Sequence, residues 1–184
     1  PEGEEVFVEG DHAGFPDGDR QVEPASQCLC RRDGGQGAED AIIKLCRPGD
    51  EVIATDDLYG GSYRMFTKVF EHFGIKFHFV NMNNASDISK HINAKTKMIW
   101  VETPTNPLMR IIDIKACAEI AQKNNLILVV DNTFASPYLQ NPLDLGASIV
   151  LHSVTKYING HSDVVMGATC TNDDKIQEEL AFIA

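Results

Sequence analysis

One lysine, Lys156, stands in a run of small polar residues directly after the apolar stretch SIVL. Ser153 precedes it by three residues and Thr155 by one, which gives the pattern S-x-T-K. A lysine amine attacks a carbonyl carbon and forms a Schiff base when it is deprotonated and held in place. The two hydroxyl groups suit the oxygens of a phosphate. The pattern therefore predicts an imine-forming lysine beside phosphate ligands, and the alternative for Lys156 taken alone is an ordinary surface lysine.

Two further side chains could bind a flat, positively charged ring. Asp131 ends LILVVD, the most apolar stretch of the chain, where an unpaired carboxylate would be costly. It needs a cationic partner, and the protonated pyridine nitrogen of a pyridoxal phosphate cofactor is one candidate. The alternative is a helix N-cap or a structural ion pair. Tyr59 lies beside two glycines in DDLYGGS, where its ring could stack on a cofactor or pack on the domain edge as a turn residue.

Two loops could complete such a site. In TPTNP, two prolines fix the backbone around Asn106, which suits a rigidly presented amide but equally suits a tight connection between a strand and a helix. In DGGQGAED, Gly35 precedes the first clear helix, so backbone N–H groups and the positive end of the helix dipole could bind an anion. This loop lacks the full G-x-G-x-x-G motif, and GGQG could be a flexible join.

The elements that must position these residues alternate along the chain. Strands are predicted in EVIAT (51–55), IKFHFV (75–80), KMIWVE (97–102), LILVV (126–130), SIVLHS (148–153) and VVMGATC (164–170). Helices are predicted in AEDAIIKLC (38–46), YRMFTKVFEHFG (63–74), ASDISKHI (85–92), DIKACAEIAQKNN (113–125, with Asp113 as N-cap) and DDKIQEELAFIA (173–184). This order predicts an α/β fold with a mostly parallel sheet flanked by helices.

In such sheets, ligands bind beyond the carboxyl ends of the strands. The polar residues that follow the strands should therefore converge on one rim. They are Asp57, Tyr59 and Gly60 after the first strand, Thr103 to Asn106 after the third, Asp131 and Asn132 after the fourth, and Ser153, Thr155 and Lys156 after the fifth.

Composition excludes several classes of function. A net charge of −11 argues against nucleic acid as a partner, because phosphates would be repelled. The sequence shows no apolar window of about 18 residues and no secretory signal, so we expect a cytoplasmic protein without a membrane span. The six histidines form no H-x₃-H or HExxH pattern, so no metal site is predicted. The five scattered cysteines are predicted to be reduced, with Cys46 and Cys117 in the core.

The first part of the chain differs from the rest. Residues 1–40 hold 3 basic and 11 acidic residues, which places −8 of the net charge of −11 there. Residues 1–34 are rich in glycine, proline and acid, show no persistent period, and are predicted to form a loosely ordered acidic arm. We expect residues 35–184 to form one α/β domain.

At this point the sequence matches a known family. The stretches WVETPTNPLMRIIDI and LILVVDNTFASPYLQNPLDLGASIVLHSVTKYINGHSDVVMGA resemble the Cys/Met-metabolism family of pyridoxal phosphate enzymes, with DDLYGGSYR as further support. Members include cystathionine γ-lyase, cystathionine γ-synthase, cystathionine β-lyase and methionine γ-lyase. The order D-N-T-F followed by S-x-T-K-Y-x-x-G-H-S-D is the most characteristic part. The resemblance implies the large cofactor-binding domain of fold-type I pyridoxal phosphate enzymes.

The family pattern assigns a role to each residue that matches it. Lys156 would hold the cofactor as a Schiff base, and Asp131 would pair with the pyridinium nitrogen. Tyr59 would stack on the ring and assist proton transfer, and Asn106 would hydrogen-bond the 3-oxygen of the ring. The phosphate would be bound by Ser153, Thr155 and the backbone amides of Gly35 and Gln36.

The implied activity is cystathionine γ-lyase-like, a γ-elimination that gives cysteine, an α-keto acid and ammonia. The alternatives are cystathionine γ-synthase, methionine γ-lyase and cystathionine β-lyase, all acting on small sulfur amino acids, or a catalytically silent fragment. Two departures from the family matter. No Y-S-R…N-P-T-R segment is found upstream, and we expect the C-terminal domain of the family to be absent. The complete family proteins are expected to be homodimers or homotetramers.

Overall fold

The computed structural model describes residues 27–31 and 34–183, which form a seven-stranded sheet flanked by helices. The strands are β1 Gln27–Arg31, β2 Glu51–Thr55, β3 Lys76–Val80, β4 Thr96–Glu102, β5 Ile127–Asp131, β6 Ile149–Ser153 and β7 Gly167–Thr171. The helices are α1 Gly34–Ile43, α2 Gly60–Lys68, α3 Ile114–Lys123, α4 Ser136–Leu139 and α5 Asp174–Ile183, with two 3₁₀ helices at Phe70–Phe73 and Ala85–Lys90.

The sheet is mostly parallel, so the predicted fold class is confirmed. Its strand order is β1-β7-β6-β5-β4-β2-β3. Strands β2 to β6 run parallel to one another, whereas β7 is antiparallel to both β6 and β1. Because β2, β4, β5 and β6 share one direction, their carboxyl ends meet at the same edge of the sheet.

Each face of the sheet carries its own hydrophobic core. On the face covered by α1, α2 and α5, Phe66 stacks on Phe77 with ring centroids 4.6 Å apart and meets Trp100 edge to face at 5.2 Å. On the opposite face, α3 packs on a cluster that includes Val101 and Leu128. Burying a large apolar side chain contributes about 1.5–3 kcal/mol, so these two layers hold the strand ends in fixed positions.

Three helical boundaries differ from the sequence prediction. Helix α1 begins at Gly34 rather than at residue 38, so the glycine-rich turn is its first turn. The helix predicted over 63–74 is two elements, because α2 ends at Lys68 and a 3₁₀ helix follows, closed by Gly74 at φ +83°. Of the helix predicted in ASDISKHI, only Ala85–Lys90 is helical, and it is a 3₁₀ helix. The predicted N-cap of α3 is present, since the Asp113 carboxylate accepts from the Ala116 N–H at 2.9 Å.

The last strand begins three residues later than predicted. VVMGATC predicted a strand from residue 164, but β7 begins at Gly167, which lies opposite Ser153 at the end of β6. The backbone N–H of Met166 instead donates to the Thr155 hydroxyl at 3.0 Å. A Cβ on Gly167 would lie 2.3 Å from the carbonyl oxygen of Gly34, so glycine allows β7 to pass this close to α1.

Part of the predicted N-terminal arm belongs to the sheet. Residues 27–31 form β1, which pairs antiparallel with β7 and places Cys28 opposite Cys170 in the register. Residues 1–26 and 32–33 lie outside the described residues. Cys46 and Cys117 are free and buried, as predicted, but Cys170 is disulfide-bonded, so the prediction of reduced thiols is wrong for this residue. Linear spacing gave no indication of the strand pairing at Cys170.

None of the helices within residues 34–183 is both long enough and apolar enough to cross a bilayer.

Candidate functional site

A pocket of about 220 Å³ lies at the carboxyl ends of the parallel strands, beside the first turn of α1. The pocket is lined by all eight residues that the family pattern assigns to the cofactor: Gly35, Gln36, Tyr59, Asn106, Asp131, Ser153, Thr155 and Lys156. Six further residues, which the sequence analysis did not select, also line it: Gly34, Glu39, Glu102, Thr133, Phe134 and Val165.

A tight turn after β6 fixes the lysine. The Lys156 N–H donates to the carbonyl of Ser153 at 3.0 Å, and the Gly160 N–H donates to the carbonyl of Lys156 at 2.8 Å. The Ser153 N–H donates to the Thr133 hydroxyl at 2.8 Å, which ties the end of β6 to the loop after β5. The backbone of Lys156 is therefore held from both sides, while its side chain is exposed at the pocket.

The two hydroxyl groups near the lysine differ in their hydrogen bonding. The Thr155 hydroxyl donates to the carbonyl of Met166 at 3.3 Å and accepts from its N–H at 3.0 Å. Its single proton is thus already used to fasten the loop. The Ser153 hydroxyl makes no such contact within the described residues. Of the two predicted phosphate ligands, Ser153 is therefore better placed to donate a hydrogen bond to an anion.

The N-terminus of α1 approaches the end of β6 closely. Gly34 has φ +82°, and a Cβ on Gly35 would lie 3.0 Å from Cβ of Ser153. A side chain at residue 35 would therefore push the helix away from the strand. The first-turn N–H groups of a helix lack intrahelical partners and carry the positive end of the dipole. Since Gly34, Gly35 and Gln36 line the pocket, this end of the helix offers an anion site there.

Tyr59 is held over the glycines that follow it. It is the N-cap residue of α2, and its N–H donates to Glu102 Oε2 at 2.7 Å. A Cβ on Gly61 would lie 2.3 Å from the Tyr59 ring and 2.6 Å from Nε2 of Gln36. Glycine at residue 61 thus leaves the space that the ring occupies. With 41% of its surface exposed, Tyr59 offers a ring face to a ligand.

The loop that carries Asn106 is braced from β2. The Thr105 hydroxyl and the Leu108 N–H both donate to Oδ2 of Asp57, the latter at 3.1 Å. Arg110 forms an ion pair with Asp56 at 3.1 Å. These contacts hold the half-buried Asn106 at the pocket edge, so Asp57, which was predicted on the rim, supports the loop and does not line the pocket.

Other residues predicted on the rim point elsewhere. The amide of Asn132 donates to the Gln140 carbonyl and accepts from Gln140 Nε2, both at 2.8 Å. Together with His152 it lines a separate pocket of about 320 Å³. Burial lowers the pKa of His152 to about 4, so its imidazole is neutral at pH 7. The Thr103 hydroxyl accepts from the Ile112 N–H at 3.0 Å and braces the next connection.

Three buried carboxyl groups line the floor of the main pocket. Burial first, and the nearby charge of Asp131 second, raise the pKa of Glu39 to about 8 and that of Glu102 to about 9. Burial also raises the pKa of Asp131, although hydrogen bonds from Thr133 oppose this shift. Oε1 of Glu39 accepts from the Ser62 hydroxyl at 2.9 Å, whereas its Oε2 is buried without a partner among the described residues.

Sequence reasoning could have found one of the two glutamates. Glu102 ends the apolar strand KMIWVE, so the argument that selected Asp131 applies to it equally. Glu39 gave no such signal, because an acidic residue within AEDAIIK is typical of the exposed face of a helix. Within the described residues, no group of three or more His, Cys, Asp or Glu side chains is placed to hold a metal ion.

The donor set fits a flat ligand with an anionic end and a cationic nitrogen. The α1 N-terminus and the Ser153 hydroxyl suit the anion, and the Tyr59 ring suits a flat face. The buried Asp131 carboxylate has no ion-pair partner among residues 27–31 and 34–183. Lys156 adds an amine that can bond to a carbonyl carbon. These groups match the phosphate, ring, pyridinium nitrogen and aldehyde of pyridoxal phosphate, so the described residues fit that cofactor.

Comparison with known proteins identifies a family that uses the same cofactor. A family model described as Cys/Met metabolism PLP-dependent enzyme matches residues 20–184. The cystathionine gamma-lyase of Dictyostelium discoideum is 54% identical over 142 residues, which are 77% of this chain and 37% of that protein. The cystathionine gamma-synthase of Mycobacterium tuberculosis (strain ATCC 25618 / H37Rv) is 49% identical over 150 residues, which are 81% of this chain and 39% of that protein.

Solved structures are similar as well. Cystathionine gamma-lyase from Lactobacillus plantarum, complexed with L-serine, gives a TM-score of 0.84 at 41% identity and covers 86% of this chain and 41% of that one. The metB structure from Corynebacterium glutamicum gives a TM-score of 0.83 at 47% identity. The match covers 85% of this chain and 41% of that one. The chain thus spans about two fifths of the length of the curated relatives it matches.

Proposed function

The chain belongs to the Cys/Met metabolism family of PLP-dependent enzymes, and from this membership we propose that it is the cofactor-binding part of a cystathionine γ-lyase-like enzyme. The cofactor of the family is pyridoxal phosphate. The proposed reaction is γ-elimination from cystathionine, which gives cysteine, an α-keto acid and ammonia.

One observation carries this proposal. The eight residues that the sequence pattern selected for cofactor binding come from five separate parts of the chain, and all of them line one pocket. A set chosen for other reasons would not be expected to meet at one strand edge. The convergence supports the roles that the family pattern implies, with Lys156 as the covalent anchor and Asp131 as the partner of the pyridinium nitrogen.

The side chains would divide the chemistry among them. Bound in this pocket, pyridoxal phosphate supplies an electron sink that stabilises negative charge on the α-carbon of an amino acid. Asp131 would orient the ring through its nitrogen, and Tyr59 would cover one face and exclude water there. Lys156 Nζ would take the proton from the α-carbon of the substrate and return it later. The phenolic oxygen of Tyr59 would assist proton transfer to the sulfur atom as it departs.

The names of the relatives favour two reactions about equally. Relatives named cystathionine gamma-lyase and cystathionine gamma-synthase match at similar identity, and one named cystathionine beta-lyase is 46% identical over 151 residues. We therefore keep γ-replacement as the second candidate, followed by methionine γ-lyase and cystathionine β-lyase. A cytoplasmic location and a homodimeric or homotetrameric assembly stay predictions from the sequence.

A spectroscopic titration tests the cofactor assignment. Adding pyridoxal phosphate to the wild-type chain should produce the visible absorbance band of a lysine-bound cofactor, and borohydride should fix it covalently. Lys156→Ala should lose both signals, whereas Lys123→Ala, at an exposed lysine of α3, should retain them. Equal spectra for wild type and Lys156→Ala would overturn the assignment. No band for the wild type would favour the alternative of a catalytically silent fragment.

Product analysis tests the reaction. Ammonia and α-keto acid should be released from cystathionine at a higher kcat/KM than from homocysteine or methionine. Formation of cystathionine from cysteine and a homoserine acylated on its γ-oxygen, with release of the acid and without ammonia, would replace γ-elimination with γ-replacement as the function. Release of homocysteine from cystathionine would indicate the β-lyase reaction.

A further inference from the structure

The main pocket holds more negative charge than its contacts balance. Glu39, Glu102 and Asp131 all line it, and each has less than a tenth of its surface exposed. Among the described residues that line the pocket, Lys156 is the only one with a cationic side chain. Three ionised carboxylates beside one ammonium would leave an excess of two negative charges in about 220 Å³.

Such an arrangement is unfavourable for two reasons. A carboxylate removed from water without a cation is costly, and in proteins the usual response is that the group takes up a proton. Two carboxylates that share a site also repel each other, which favours the protonated form of one of them. A ligand that carries a phosphate group would add further negative charge to the same pocket.

The hydrogen bonds show which carboxyl group is best prepared to stay charged. Asp131 Oδ1 accepts from the Thr133 N–H at 2.9 Å, and hydrogen bonds from both the side chain and the backbone of Thr133 lower the pKa of Asp131, against the burial that raises it. Glu39 has one donor, the Ser62 hydroxyl, and its Oε2 is buried without a partner in the described part of the chain. Glu102 accepts from the Tyr59 N–H at 2.7 Å. A buried carboxyl oxygen without a hydrogen-bond donor disfavours the ionised form, because nothing there compensates for the lost hydration of the charge.

We propose that Glu39 and Glu102 are held as neutral carboxylic acids, so that Asp131 is the one charged carboxyl group of the pocket. The two glutamates act as positioning residues: as neutral groups they would line the pocket without repelling the phosphate of the cofactor. This second statement rests on the proposed function, whereas the protonation of the two side chains does not.

Groups on the neighbouring elements influence the protonation of both glutamates. Glu39, on α1, faces Asp131 at the end of β5 and Ser62 on α2. Glu102, at the end of β4, has the acidic residues Asp131, Glu39 and Asp57 as neighbours and the Tyr59 backbone N–H as a donor. Lys156, after β6, is exposed at the opening of the pocket. Ionised neighbours around both glutamates are therefore mainly acidic, which keeps their protons bound.

The proposal has a direct consequence for pH. Burial and the charge of Asp131 raise the pKa of Glu39 to about 8 and that of Glu102 to about 9. Above this range both glutamates ionise and the pocket gains two negative charges. Cofactor affinity should then fall, by up to about tenfold per pH unit for each glutamate that must be neutral for binding.

Infrared spectroscopy of the cofactor-free chain tests the protonation itself. At pH 7 the wild type should show the stretching band of buried protonated carboxyl groups, and Glu39→Gln and Glu102→Gln should each remove part of it. Glu119→Gln, at an exposed glutamate of α3, is the matched control and should leave the band unchanged. If neither pocket variant removes intensity at pH 7, the proposal is overturned.

The pH dependence of cofactor affinity tests the positioning role. Wild-type affinity for pyridoxal phosphate should fall between pH 7 and pH 10, and this fall should be shallower in the Glu39→Gln, Glu102→Gln double variant when each protein is compared with its own affinity at pH 7. Profiles of equal slope would overturn the positioning role. If pyridoxal phosphate does not bind at any pH, the proposed function and the positioning role fail together, while the infrared result still decides the protonation.

Discussion

Two buried acidic sites lie at opposite ends of the parallel strands. At the amino end, Glu51, the first residue of β2, accepts from Asn93 Nδ2 at 2.8 Å and from His78 Nε2 at 2.6 Å. These hydrogen bonds, from Asn93 first and His78 second, hold the pKa of Glu51 below its usual value. At the carboxyl end, Glu39 and Glu102 each have a single donor, and their pKa values are raised.

The contrast separates a structural carboxylate from a binding site. Glu51 has its partners in the fold itself, so its charge stabilises the junction of β2, β3 and the loop before β4. Among the described residues, each carboxyl group of the pocket has a hydrogen-bond donor but no ion-pair partner, and burial there opposes charge. A folded chain keeps such groups at a cost in stability, which is expected where a ligand completes the site.

The largest test of this contrast removes one carboxylate at each end. Asp131→Asn should weaken pyridoxal phosphate binding by about 100-fold or more, because breaking a buried charge pair costs about 3–5 kcal/mol. Glu51→Gln makes the same chemical change at the amino end and should leave the affinity unchanged. Fluorescence titration of both variants measures it. Equal affinities for Asp131→Asn and wild type would remove Asp131 as the partner of the ring nitrogen.

The next test concerns stability against pH. A raised pKa means that the folded chain binds more protons than the unfolded chain, so Glu39 makes stability fall as pH rises from about 4.5 to about 8. The free energy of unfolding of Glu39→Gln should therefore fall less steeply with rising pH than that of the wild type, by up to about 1.4 kcal/mol per pH unit. Urea unfolding at several pH values measures the slope. Parallel profiles for the variant and the wild type would show that Glu39 ionises normally in the folded chain.

The sequence predicted the parallel sheet well, because short apolar strands alternating with helices produce a strong pattern. It placed β2 at 51–55, as found, and β4 and β6 within one residue. It missed β1, since the five residues QCLCR lie next to an acidic, glycine-rich stretch and the strand depends on pairing with β7. Tertiary pairing of this kind leaves no local period to detect.

The residues of the candidate site were only partly predictable from the sequence. Residues at strand ends, such as Asp131 and Lys156, could be selected because every parallel strand delivers its carboxyl end to the same edge. The direction of each side chain could not be read in this way, so Asn132 was expected on the rim but bonds to Gln140 instead. Glu39 was missed because its burial results from the approach of α1 to the sheet, a feature of packing and not of spacing.

A smaller effect is expected from the glycines beneath Tyr59. Gly61→Ala would place a Cβ 2.3 Å from the tyrosine ring, so the ring must move and the proposed contact between Tyr59 and the cofactor would weaken. Since an aromatic contact contributes about 0.5–1.5 kcal/mol, affinity should fall by up to about tenfold. Gly60→Ala is the matched control, because a Cβ there meets nothing within 4 Å. If both variants bind alike, the position of Tyr59 does not depend on Gly61.

The smallest effect should come from the amino end, and it should depend on pH in the opposite sense. Asn93→Ala removes one donor to Glu51 and should lower the free energy of unfolding at pH 7 by about 1 kcal/mol. Because the pKa of Glu51 is lowered in the folded chain, this contribution is present above its ordinary pKa and is lost as pH falls.

The difference in free energy of unfolding between Asn93→Ala and wild type should therefore shrink at acidic pH. Asn172→Ala, at an exposed asparagine, should change this free energy little at either pH. A difference that grows on acidification would mean that Asn93 stabilises the chain by a route other than the Glu51 carboxylate.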